Sequence, residues 1–368
     1  MNKYYFLFLF SFIFCQSSII TAQKKLNSPE IKEAVSSKYN EQNASEEDLR
    51  AAENILLYQR NVGGWPKHID WYATLTNIQK EELLKLQSVG FGATIDNDAT
   101  VKELDFLSKI YVKVQDVRYK KAFLKGIDYL LEAQYENGGW PQYYPEREGY
   151  STHITYNDNA MVRVMNVMKD IAEKSGRFSI KLDDATVIKA KAAFENGVEI
   201  ILKTQYKQNG VLTTWCAQHD EKTLLPAKAR SYELPSLSGG ESPGIVILLM
   251  GIDNPSPEIV NAIQSAVAWF NKVKINGIRM EEFTNKDGLK DRKIVADKNA
   301  PAMWARFYGL EDNRPFFCER DGIKKYTLAE IPKRRMGYNW YTKGPQKVLD
   351  AYNKWQPKLA PGKNVIMN

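Results

Sequence analysis

Three short polar segments carry acidic and amide side chains in a repeated setting. They are Thr94-Ile95-Asp96-Asn97-Asp98-Ala99-Thr100, Thr155-Tyr156-Asn157-Asp158-Asn159-Ala160-Met161 and Ser238-Gly239-Gly240-Glu241-Ser242-Pro243. Each stands just before an apolar run at helical spacing, where Asp, Asn or Ser serves as a helix cap. Capping alone would explain any single loop. Three loops with Asp96, Asp158 and Glu241 in register also allow a set of hard oxygen donors for a cation. Hydrolysis by paired carboxylates needs a raised-pKa acid facing a second carboxylate across the bond, and carboxylates gathered on one rim fit that poorly. A zinc site is discounted, because Cys216, Cys318, His68, His153 and His219 show no ligand spacing.

The elements that position these loops are helical. Ile259, Ala262, Ile263, Ala266, Val267, Phe270 and Val273 mark one face of a four-turn helix. Similar stripes run through Phe123-Ile127-Leu130-Leu131, Met161-Val164-Met165-Met168 and Val198-Ile201-Leu202, while strand-like alternation is scarce. An internal echo overlies them: Gln59-Arg60-Asn61-Val62-Gly63-Gly64-Trp65-Pro66 returns as Gln134-Tyr135-Glu136-Asn137-Gly138-Gly139-Trp140-Pro141, and more faintly at Gln205-Tyr206-Lys207-Gln208-Asn209-Gly210. The offsets of 75 and 71 residues suit a helix, a decorated loop and a second helix. Each copy ends a helix at a glycine turn. Three such pairs predict an all-α chain folded as a closed α/α toroid, with the acidic loops on one rim.

The chain divides into an apolar leader (1–23), a polar lead-in (24–48) and a single domain (49–368). Tyr4 to Cys15 is a short apolar run behind Lys3, read as a secretory signal with cleavage near Ala22-Gln23. The expected mature protein is exported, secreted or periplasmic, monomeric and free of the membrane. With 51 Lys+Arg against 44 Asp+Glu the formal charge is only +7, and the one basic run is Lys333-Arg334-Arg335, so nucleic acid is not an expected partner. Cys216 and Cys318 are expected as buried free thiols.

Further motifs carry a specific likeness. Gln134-x-x-x-Gly138-Gly139-Trp140-Pro141, the Thr155–Met161 loop, Trp215-Cys216-Ala217-Gln218-His219-Asp220, Ala229-Arg230-Ser231-Tyr232-Glu233, Trp304-Ala305-Arg306-Phe307-Tyr308, Asn313-Arg314-Pro315 through Arg320-Asp321-Gly322, and Arg335-Met336-Gly337-Tyr338-Asn339-Trp340 resemble the family 10 pectate lyases. The likeness spans about residue 50 to residue 350, and the Ala-Arg-Ser-Tyr-Glu block is its most specific piece. It implies an (α/α)3 toroid that cleaves polygalacturonate, the de-esterified form of pectin, by β-elimination with Ca²⁺. It also implies Arg230 as the base that removes the C5 proton and Asp96 and Asp158 in calcium and substrate binding; by residue type Glu241 is a further carboxylate suited to the metal. Arg306 and Arg320 would hold substrate carboxylates, and Asn157, Tyr232, Arg335 and Trp340 would contact substrate.

The residue types suit that chemistry. A galacturonate C5–H is poorly acidic beside its carboxylate, and a hard cation shared with that carboxylate stabilises enolate-like charge. Guanidinium forks match carboxylates better than ammonium groups do. Eight tryptophans and twenty tyrosines offer flat faces to sugar rings. Arginine as a base demands a strongly depressed pKa, which neighbouring cations would favour; the alternative is a carboxylate clamp. The sequence departs from the family pattern at Asp98, where glycine is frequent, and at His68, where asparagine is frequent. Asp98 is expected to join the metal shell, repel the polymer or cap a helix.

Two rivals are set against this reading. Lys125-Gly126-x-x-Tyr129-Leu130-x-x-x-Gln134-x-x-x-Gly138-x-Trp140 also resembles triterpene cyclase repeats, but Asp96-Asn97-Asp98-Ala99 falls short of their Asp-x-Asp-Asp acid motif. A non-catalytic protein that binds acidic glycans on the same fold is the second, and it would bind polygalacturonate without cleaving it.

Overall fold

Four tryptophans organise the chain. The computed structural model describes residues 44–145 and 148–356; the leader and most of the lead-in lie outside them. Nine helices are described: α1 (Glu46–Tyr58), α2 (Asn77–Gln87), α3 (Val101–Val114), α4 (Val117–Glu132), α5 (Ala160–Ala172), α6 (Asp184–Thr204), α7 (Ser242–Met250), α8 (Pro257–Lys272) and α9 (Gly344–Trp355). Helix α1 starts inside the segment read as lead-in, because the Ser45 hydroxyl accepts from Asp48 N and caps it there. Trp65, Trp140, Trp215 and Trp304 are fully buried. Their indole N–H groups donate to the carbonyls of Ile55, Leu130, Ile201 and Phe270, in α1, α4, α6 and α8, at 2.7–2.8 Å.

The glutamine ending each of the first three of these helices repeats as well. Gln59, Gln134 and Gln205 each donate to a carbonyl of their own turn and to one of the next long helix: Ala122, Ala193 and Ala262. The sequence echo is thus a stitch joining successive units. It needs glycine: Gly63 and Gly138 have φ of +108° and +93°, and a Cβ there would lie 2.3 and 2.2 Å from the carbonyl oxygens of Lys125 and Asn196.

Helices α3, α5 and α7 touch in chain order, and α1, α4, α6 and α8 form a second row. One core joins them, with Leu104, Leu107, Met161, Met165, Met168, Ile245 and Leu249 facing inward. Helix α9 packs on α7 and α8, so the tryptophan signature marks four units where the sequence echo shows three. The fourth is hidden by spacing: indole and acceptor are 10 residues apart in the first two units, 14 in the third and 34 in the fourth.

The expectation of an all-α chain is corrected to a largely helical one. The insertion before Trp304 is a hairpin of Ile278–Thr284 and Lys290–Ala296. Few of its residues are buried, and cross-strand ion pairs Glu281–Lys293 and Glu282–Arg292, both 3.0 Å, support it. Apolar alternation therefore gives it no signal. A second, aromatic core gathers Tyr232, Phe307, Phe316, Phe317, Tyr338 and Trp340 beneath the C-terminal loops. Cys216 and Cys318 are buried free thiols, as expected. No helix among the described residues is long and apolar enough to cross a membrane.

Candidate active site

The acidic loops hang on this frame through their backbones. Thr94, Thr155 and Ser238 donate N–H to the carbonyls of Trp65, Trp140 and Trp215 at 3.0, 3.1 and 2.8 Å. The next residues, Ile95, Tyr156 and Gly239, donate to Gln142, Ala217 and Arg306, two positions beyond the tryptophan of the following unit. Each loop is pinned between two units, with Asn97, Asp98, Asp158 and Asn159 in left-handed backbone conformations.

The capping explanation is ruled out for these acids. Helices α4, α6 and α8 are capped by the side chains of Asp116, Asp183 and Ser256. At α3, α5 and α7 the cap positions are Thr100, Asn159 and Glu241, and none makes a side-chain cap bond. The carboxylates point elsewhere.

Asp158 and Glu241 point at Arg306. Its Nη2 donates to Asn157 Oδ1 and Asp158 Oδ1, both at 3.1 Å, and to Glu241 Oε1. Arg306 is 8% exposed and Glu241 2%. Ser238 Oγ bonds the other Glu241 oxygen, and Asn157 Nδ2 donates to Asp158 Oδ2 at 3.1 Å. Burial works to lower the Arg306 pKa, but Glu241 and Asp158 outweigh it and the guanidinium is held more firmly protonated. Two carboxylates against one guanidinium leave one net negative charge on a set of oxygen donors. Asp96 is buried nearby in sequence register but is paired with Lys67 Nζ at 2.6 Å.

A second group adjoins through Tyr338, whose ring lies 4.7 Å from the Arg306 guanidinium and 5.8 Å from that of Arg230. Tyr338 OH donates to Glu233 Oε1 at 2.8 Å. Arg230 grips Glu233 with Nε at 2.7 Å and Nη2 at 2.5 Å. The hydrogen bonds to Glu233 raise the Arg230 pKa against the opposing effect of burial. The depression expected for Arg230 is therefore corrected in this state: no other cation overrides its own carboxylate.

With two linked guanidinium–carboxylate groups on a helical frame, the comparisons become decisive. The family model for pectic acid lyase matches residues 59–349. The chain belongs to the pectic acid lyase family. Its fold is similar to that of a family 10 polysaccharide lyase from Cellvibrio cellulosa, with 36% identity, a TM-score of 0.74, and coverage of 86% of this chain and 94% of that one. An aspartate-to-alanine mutant of a family 10 polysaccharide lyase from the same organism, in complex with trigalacturonic acid, matches at 36% identity and TM-score 0.73, covering 86% and 95%. No curated protein matches significantly. This chain is an enzyme, a pectate lyase.

The remaining expected site residues of the lyase scatter. Asp98 makes no helix cap: it pairs with Nε of Arg163, and Nη1 of that arginine donates to the Asp158 carbonyl. Arg320 is exposed on the turn ending at Gly322, and that glycine packs against the carbonyl of Ser231, beside Arg230. Arg335 gives its fork to Asp291 of the hairpin at 2.7 and 2.5 Å. Trp340, expected to contact substrate, is 2% exposed in the aromatic core, with Nε1 bonded to the Arg334 carbonyl. Tyr232, 4% exposed, is a platform under the guanidinium groups of Arg230 and Arg334. Sequence reasoning missed Tyr338, Glu233, Ser238 and Lys67; only Glu233, one turn beyond Arg230, had a visible spacing.

Two groups could hold a metal. Asp158, Glu241 and Asn157 supply oxygens only, which suits a hard cation, and Asp96 joins them only if released from Lys67. The ligand atoms of Asp96, Asp158 and Glu241 are not assembled as a trio. Among the described residues, His153, Asp220 and Glu221 already have ligand atoms within 4.8 Å of one another. Their imidazole suits a borderline ion better than calcium. His153 Nδ1 lies 3.1 Å from Glu221, and Asp220 Oδ1 accepts from Lys222 N, Thr223 N and Thr223 Oγ1, which binds the loops together as they stand. His219 is no ligand as it stands, because both ring nitrogens bond the backbone, at Cys216 and Leu224; burial pushes its pKa down to about 4.

Proposed function

We propose that the protein is an exported pectate lyase that cleaves de-esterified α-1,4-polygalacturonate by Ca²⁺-assisted β-elimination on an (α/α)3 toroid. The acid-bearing loops lead into α3, α5 and α7, the helices that touch in chain order, and α1, α4, α6 and α8 form the second row. The observation that carries the reading is the Arg306 cluster, where Asn157, Asp158 and Glu241 from two loops meet on one guanidinium with negative charge to spare. The trigalacturonic acid held by the mutant lyase supports the substrate class.

Asp158, Glu241, Asn157 and, once free of Lys67, Asp96 would hold Ca²⁺. When bound, that ion supplies neutralisation of the carboxylate beside the C5–H bond. Arg306 holds Asp158 and Glu241 in position. Elimination moves the C5 proton to a base, the C5–H pair into a C4=C5 double bond, and the C4–O pair onto the leaving sugar, which takes a proton from solvent. Arg230 faces this step in our reading, and to act as base it must leave Glu233 and lose its own proton. The bidentate pairing with Glu233 favours a second role for Arg230, a clamp on a substrate carboxylate. Glu233 and Tyr338 set its position in either case.

The test is polygalacturonate at alkaline pH, with calcium and then with a chelator, read by the ultraviolet absorbance of the conjugated uronate. Calcium-dependent absorbance is expected. Reducing ends without absorbance mean hydrolysis, and binding without cleavage means a glycan-binding protein. Arg230→Lys separates the roles: a loss of at least ~100-fold in kcat fits the base, and near-full turnover fits the clamp.

A further inference from the structure

Three arginines stack on rings of the aromatic core, and two are matched by carboxylates: Arg230 by Glu233, and Arg306 by Glu241 and Asp158. Arg334 has no such partner among the described residues, and its Nε is buried without a hydrogen-bond acceptor. Its guanidinium lies 4.2 Å from the Tyr232 ring centre and 5.8 Å from that of Tyr338. Arg230 stands 5.0 and 5.8 Å from the same two rings. The Arg334 backbone is fixed at both ends, its N–H donating to Glu319 Oε1 at 3.1 Å and its carbonyl accepting from Trp340 Nε1 at 2.8 Å. A stacked guanidinium loses little freedom when it binds an anion, and a half-buried one with no carboxylate of its own beside the site is available to an incoming acceptor.

We infer that Arg334 binds a substrate carboxylate, on the uronate next to the one handled at Arg230, and so contributes to selection of unesterified over methyl-esterified chain. This rests on the pectate lyase reading above. A methyl ester keeps the sugar ring but removes the charge, so Arg334 would distinguish the two forms through a charge-assisted bidentate contact.

The experiment compares wild type, Arg334→Met and Arg334→Lys on polygalacturonate and on partly methyl-esterified pectin, following uronate absorbance. Methionine keeps the packing on Tyr232, and the Trp340 bond survives because it uses the backbone. Arg334→Met is expected to raise KM for polygalacturonate about tenfold and to reduce the preference for unesterified chain by a similar factor. Lysine is expected to recover part of both. If wild type cleaves and Arg334→Met, with an unchanged melting temperature, keeps KM and preference within twofold, the inference is overturned while the lyase reading stands. If Arg334→Met does not fold, Arg334→Lys decides: wild-type preference in that variant overturns the bidentate contact. A wild type that neither binds nor cleaves polygalacturonate overturns the substrate reading itself, a distinct outcome.

Discussion

Replacing Arg306 by methionine isolates the charge at the centre of the site. The substitution preserves most of the buried stem and deletes the only cation that meets both Asp158 and Glu241 among the described ion pairs. Glu241 is 2% exposed, so its carboxylate is left buried with Ser238 as its remaining side-chain partner. Breaking one half of a buried pair destabilises by about 3–5 kcal/mol. For a domain of roughly 300 residues the unfolding entropy is near 0.6 kcal/mol per degree, so melting falls about 5–8 °C. Thermal unfolding of both proteins at pH 8, without calcium, reads this directly. The double variant Arg306→Met/Glu241→Gln should recover at least half the loss. A drop under ~2 °C, or no recovery in the double variant, would refute the claim that Arg306 serves to neutralise Glu241.

Two further outcomes follow from the neighbouring groups. Asp98→Gly removes the partner of Arg163 and not a metal ligand, so the calcium concentration for half-maximal activity should stay within twofold; a tenfold increase would return Asp98 to the metal shell. Glu233, although burial works against it, is held below its usual pKa by Arg230, so it contributes stability above the unfolded carboxylate value that disappears as pH drops through the lower folded one. Wild type should therefore lose more melting temperature than Glu233→Gln on going from pH 6 to pH 3, and parallel curves would contradict the pairing.

The sequence displays the frame more clearly than the site. Helical stripes at Phe123–Leu131, Met161–Met168 and Ile259–Phe270 became α4, α5 and α8 because burial at 3.6-residue spacing is a local property. The Gly-Gly-Trp-Pro echo was visible because its glycines and tryptophans answer to fixed backbone approaches. The fourth unit was not, since the insertion before Trp304 breaks the count. Asp158, Glu241 and Arg306 were identifiable as chemistry-bearing, yet their meeting depends on a contact between residues 148 and 65 positions apart. Arg335 and Trp340 show the converse. An arginine and a tryptophan suit a sugar acid by type, but one faces Asp291 and the other is enclosed by Phe307, Phe317 and Tyr338. Residue type gives chemical capacity, whereas burial and partners decide its use.

The position two residues beyond each of Trp65, Trp140, Trp215 and Trp304 shows how a repeat becomes a site. It is occupied by Lys67, Gln142, Ala217 and Arg306. The backbone carbonyls of Gln142, Ala217 and Arg306 do one shared task, each accepting from the acidic loop of the preceding unit. The backbone is thus constrained equally at three of the positions, and the side chains are free to differ. At the two ends of the series they are cations, and each meets a carboxylate from an entry loop, Lys67 with Asp96 and Arg306 with Glu241. Uncapped helices α3, α5 and α7 leave those carboxylates available for such pairing. The repeat therefore fixes where loops sit, and departures from the repeat fix which loops carry charge. On this argument, exchanging Gly239, where a Cβ would lie 2.2 Å from the Ala305 carbonyl, must displace the loop that carries Glu241.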